Sequence, residues 1–153
     1  MTRLRLSSVS LFVVLVLAKS PGIDLAIEPI LVPPYPELSF RSRLEGRIEV
    51  LIRFENTVPV AVEIAESELK FVQSGPERLP ESDNIVVRSL ENTLLSTLRQ
   101  WRSEFVRDYE TVVKIHYRTD PSLGRDDRAY LVRYGRLGVA EEITVTGPRI
   151  ENR

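Results

Sequence analysis

Apolar and polar positions follow two different periods along this chain, and together they outline a small fold of strands and helices. Residues 47–54 set Ile48, Val50, Ile52 and Phe54 against Arg47, Glu49, Leu51 and Arg53. That is the period of two expected of a strand with one buried face. After a polar break at Glu55, Asn56 and Thr57, the alternation resumes with Val60, Val62 and Ile64 around Ala61 and Glu63. Two such runs predict a hairpin, with Pro59, which has no N–H for a ladder, at the start or outer edge of the second strand. Val113, Ile115 and Tyr117, alternating with Lys114 and His116, predict a third strand; residues 130–134 and 143–146 are further candidates.

A helical period appears between these strands. Leu90, Leu94, Leu95, Leu98, Trp101 and Phe105 recur every three or four positions, with Arg99, Gln100, Arg102 and Glu104 opposite. Where this helix starts stays open, since Ile85, Val86 and Val87 suit a first turn or a short strand. Residues 73–84, with Gly75, Pro76, Pro80, Ser82 and Asp83, read as a loop. A shorter helix is predicted over residues 37–44, with Pro36 at its first position and Gly46 at its end. The order strand, strand, helix, strand implies an α+β fold: a small antiparallel three-stranded sheet with helices packed on one face.

The N-terminus has a different pattern. Arg3 and Arg5 precede the apolar run of residues 11–18, which ends in Ala18 and is followed by Lys19, Ser20, Pro21 and Gly22. This is the layout of an export signal, with Val16 and Ala18 at the −3 and −1 positions of a cut after Ala18. An uncleaved anchor and a buried N-terminal strand are the alternatives. Length argues against the anchor: fifteen helical residues span about 22 Å at roughly 1.5 Å each, whereas a bilayer core needs about 30 Å.

Composition removes whole classes of function. The 153 residues suffice for one domain with its own core. With 22 acidic and 21 basic side chains, no net field attracts nucleic acid or an anionic membrane. The absence of cysteine excludes disulfides, thiol catalysis and Cys-ligated metals. The single histidine, His116, argues against a His-cluster metal site or a Ser–His triad. The acidic pairs Asp126–Asp127, Glu141–Glu142 and Asp108–Glu110 lack metal-ligand spacing, and Gly75, Gly124, Gly135 and Gly138 match no phosphate-binding loop. No cofactor, metal or catalytic residue is expected.

Four elements, taken in order, resemble a known family. Tyr35-Pro36, then Glu45-Gly46 leading into the alternating strand to Phe54, resemble the opening of the TonB C-terminal domain. Residues 98–105, centred on Trp101-Arg102, resemble the end of that family's long helix, and residues 111–117 its Val-rich third strand. The likeness spans residues 35–118. It implies a periplasmic protein-binding domain that captures extended segments of TonB-dependent outer-membrane receptors by adding them to a sheet edge. On that basis the third strand is the expected edge, with Thr111, Val113, Ile115 and Tyr117 along it and Arg102 and Arg118 as charge contacts. Tyr35, Pro36, Glu45, Gly46 and Trp101 are the expected structural positions.

The chain then divides into an export signal or short anchor (1–20), a Pro-containing lead-in (21–34), the TonB-like domain (35–118) and an extension (119–153). The apolar N-terminal run is short and contains no histidine, the lead-in is too brief for a periplasm-crossing arm, and Asn56-Thr57 replaces the family's common Asp-Gly turn. These features imply a stand-alone, periplasmic relative. The alternative is a structural or regulatory periplasmic protein of the same fold, forming a homodimer or capped by its own β-prone tail, residues 141–149. Membrane contact is expected only through the N-terminal segment.

Overall fold

Residues 47–54 form the middle of a strand that runs further in both directions, and the sheet is built outward from it. In the computed structural model the described residues are 13–19, 31–72, 80–103, 106–135 and 140–150, with the backbone alone described for 13–19 and 80–83. The elements are β1 (Val13–Lys19), α1 (Glu37–Arg41), β2 (Leu44–Glu55), β3 (Val58–Phe71), α2 (Pro80–Leu98), β4 (Tyr109–Asp120), β5 (Asp127–Tyr134) and β6 (Ala140–Pro148). β2 and β3 form the predicted hairpin, with Asn56 in the left-handed conformation at the turn (φ 55°). Asparagine tolerates that conformation at little cost.

The fold is α+β, but its sheet is larger than three strands and is not purely antiparallel. β2–β6 make a mixed sheet of five, and β1 adds a sixth strand; the order is β1-β5-β6-β4-β2-β3. Every pairing is antiparallel except β4 with β6, which is parallel from Lys114–Glu142 to Asp120–Pro148. The physical reason lies in residues 119–153. Val132, Ala140, Ile143 and Val145 join the same buried cluster as Ile48, Val50, Val113 and Ile115. β6 also supplies hydrogen-bond partners to a flank of β4 that would otherwise be unpaired.

The core lies between the sheet and α2. Val86, Leu90, Leu94 and Leu98 recur on one side of α2 and are buried, while Ile85 is exposed. Burying each such leucine stabilises by roughly 1.5–3 kcal/mol. The helix starts at Pro80, within the stretch expected to be loop; proline is tolerated in a first turn. It also ends earlier than the apolar spacing implies. The chain tightens at Leu98, where Trp101 N donates to the Leu98 carbonyl, so Trp101 packs beyond the helix. Phe105 lies outside the described residues.

α1 is one turn shorter than expected, and the conformational roles near it are redistributed. The left-handed residue after the helix is Arg43 (φ 52°), not Gly46. Gly46 sits inside β2 at φ 141°, where an added Cβ would stand 2.0 Å from the Glu68 carbonyl oxygen on β3. Its glycine is needed for close strand approach rather than as a helix cap.

Candidate protein-binding edges

The strand expected to be the open edge is an interior strand. β4 is paired on one side with β2, from Gly46–Tyr117 to Phe54–Tyr109, and on the other with β6. Val113, Ile115 and Tyr117 point into the core and are buried, and Thr111 is half-buried. Arg118 is exposed, but its Nε donates to Thr146 Oγ1 on β6 at 3.0 Å. Arg102 lies in the segment after α2, where its guanidinium donates to the Trp101 carbonyl at 2.7 Å. The six residues therefore form no common surface. Alternation alone could not reveal this, because it reports which face of a strand is buried and not which flank is paired.

The five positions expected to be structural do converge, mostly on one joint. Tyr35 is buried, donates its O–H to the Leu44 carbonyl and packs on Tyr117 with ring centroids 5.1 Å apart. Pro36 caps α1, which brings Phe40 edge-on to Tyr35. Glu45 Oε1 accepts hydrogen bonds from both the backbone N–H and the hydroxyl of Thr119, at 2.7 and 2.6 Å, tying the start of β2 to the end of β4. Trp101 is buried and its indole N–H donates to the Leu31 carbonyl at 2.8 Å, anchoring the lead-in under the end of α2. β6 reaches the same joint: a Cβ at Gly147 would lie 2.9 Å from the Tyr35 ring. Burial drives the phenol pKa values of Tyr35 and Tyr117 well above their ordinary range, and that of Tyr130 upward.

Away from the helices the sheet presents a face of crossed charges. Arg47 pairs with Glu49, Glu66 and Glu68, and Lys114 lies 3.9 Å from Glu49. Farther across, His116 Nε2 donates to Glu142 Oε1 at 2.7 Å, while Arg133 holds the second oxygen at 2.6 Å. These pairs link β3, β2, β4, β6 and β5. Being largely solvated, each contributes at most about 1 kcal/mol, so their main effect is on register. Among the described residues no group of three or more His, Asp or Glu side chains is arranged to hold a metal ion.

The edge strands of the sheet are β3 and β1, and β5 is the far border of the β2–β6 part. β3 carries Glu63, Glu66, Glu68 and Lys70 along its length and Pro59 near its start. Charge and proline on an edge discourage pairing with another chain. β5 carries its charges towards its ends, with Ala129, Tyr130, Leu131 and Val132 between. Its outer flank is taken by β1 in seven antiparallel pairs, from Val13–Arg133 to Lys19–Asp127. The run of residues 130–134 marked a strand; that it borders the sheet was hidden, because its partners come from opposite ends of the chain. No family model matches this chain, no curated protein matches its sequence, and no solved structure matches its fold.

Proposed function

We propose that this chain is a periplasmic, non-catalytic protein-binding module that takes extended segments by strand addition. It resembles the receptor-engaging domain of TonB energy transducers, and TonB-dependent outer-membrane receptors are its partners. The observation that carries this reading is the pairing of Val13–Lys19 along β5. An extended apolar segment from outside the β2–β6 sheet is added to its border through backbone pairing, the interaction such a module uses on a partner. The joint built from Tyr35, Glu45 and Tyr117 supports the resemblance, since the quoted motif positions pack together. Export is the part played by residues 1–20. Among the described residues no helix is long and apolar enough to cross a membrane.

Hydrogen exchange of the full chain and of a variant with proline introduced into β1, each with and without a peptide carrying a receptor's TonB box, tests the reading. Slowed exchange confined to an edge strand is the expected result; unchanged exchange along both β3 and β5 would sink it. A second reading, a structural or regulatory protein capped by its own tail, draws on the pairing of β6 with β4. It predicts no response to the peptide and, if the chain self-associates, a dimer in sedimentation.

A further inference from the structure

We propose that β5 is the acceptor edge of this module and that Val13–Lys19 is its built-in occupant, which must leave before a partner strand can bind. The proposal rests on the strand-addition reading above and names the site, the partner's chemistry and the regulation. β2–β6 pair with one another without any contribution from β1, so withdrawing β1 removes an edge strand and leaves the other pairings in place. The alternatives are poor acceptors: β4 is filled on both flanks, and β3 carries three glutamates.

The register states what fits. Val13 to Ala18 are uncharged and three of the six are valine, a composition that favours extended backbone. The single charge of the segment, Lys19, falls opposite Asp127. The matching partner is therefore an extended, uncharged, β-branched segment of about seven residues. It runs antiparallel to β5 and places a basic residue opposite Asp127.

The same segment reads as an export signal, and the two roles exclude each other. The bond after Ala18 lies inside the paired strand, with Ala18 opposite Arg128 and Lys19 opposite Asp127. A peptidase needs an extended, unpaired backbone, so pairing protects that bond and cutting empties the edge. The chain thus carries β5 closed while the segment is retained and open once it is removed.

Leu15→Pro and Val16→Pro, made separately in the full chain, test this, because alternate N–H groups of β1 face β5 and one of the two prolines must remove a ladder donor. Exchange of β5 amides is expected to accelerate by about tenfold or more, while β2 and β4 keep their protection. Adding a peptide of residues 13–19 in trans should restore protection of β5, and the same peptide with Lys19→Glu should bind several-fold more weakly. As an independent check, Leu17→Cys with Ala129→Cys places two thiols directly opposite in a chain that has no other cysteine. A disulfide should form and abolish binding of the added peptide. Equal β5 exchange in wild type and in both proline variants overturns the proposal, as does a peptide that protects no β5 amide. If a receptor peptide protects β3 while β5 does not respond, this proposal fails and the strand-addition reading survives. If neither edge responds to any peptide, both fail.

Discussion

Tyr117 and Tyr35 pack together in the same joint with tilted rings, yet replacing each by phenylalanine should move stability in opposite directions. The Tyr117 hydroxyl is buried with no hydrogen-bond partner among the described residues, and the residue is only 2% exposed. Burying such a group unpaired costs about 1–3 kcal/mol, which Tyr117→Phe removes. The void left behind is smaller than a methyl group and costs a few tenths of that. The expected net is a gain of about 1 kcal/mol, worth roughly 3 °C in a domain of this size. Tyr35→Phe instead deletes the O–H donated to Leu44 and leaves that carbonyl unpaired, a loss of about 1 kcal/mol. Urea unfolding followed by the fluorescence of Trp101, the single tryptophan, reads both variants, provided their m-values match the parent. A loss of 1 kcal/mol or more in Tyr117→Phe refutes the argument, because it means the hydroxyl has a partner worth keeping.

The same burial predicts alkaline sensitivity. Tyr35 and Tyr117 are held above their ordinary pKa chiefly by desolvation, so the unfolded chain ionises first. Stability should be flat below about pH 10 and then fall by up to roughly 1.4 kcal/mol per pH unit for each buried phenol. Urea midpoints that stay constant to pH 11.5 would contradict this. Gly46→Ala should cost about 4 kcal/mol or prevent folding, since its Cβ would meet the Glu68 carbonyl at 2.0 Å; a thermal shift of only a few degrees rules that out. Glu45→Ala removes two hydrogen bonds to Thr119 and should cost about 2 kcal/mol by the same urea assay, with no loss indicating that Thr119 finds another acceptor.

The legibility of this fold in its sequence follows the range of the interactions. The hairpin and the core face of β4 were readable because side chains alternate within one strand, a local signal carried by Ile48, Val50, Val113 and Ile115. α2 was readable where Leu90, Leu94 and Leu98 face the sheet, but its first turn was not, since no apolar period reaches back to Pro80. Gly46 announced a backbone requirement without saying which one. The flanks of the strands were the part most out of reach. β6 pairing parallel to β4, and β1 finding β5, join residues far apart in the chain, and no local period encodes them. The expected contact strand was consequently placed inside the sheet, while the border at β5 passed as a weak strand.

The position of β6 also sets an order of events. β4 and β5 follow each other in the chain, joined by residues 121–126, yet neither pairs with the other, because β6 lies between them. As the chain emerges from a ribosome or a translocation channel, β5 has no place in the sheet until Ala140–Pro148 has arrived. The buried side chains of β6 then join both halves of the core at once, a late and long-range closure that folds slowly. The delay in closing the core is written into the strand order.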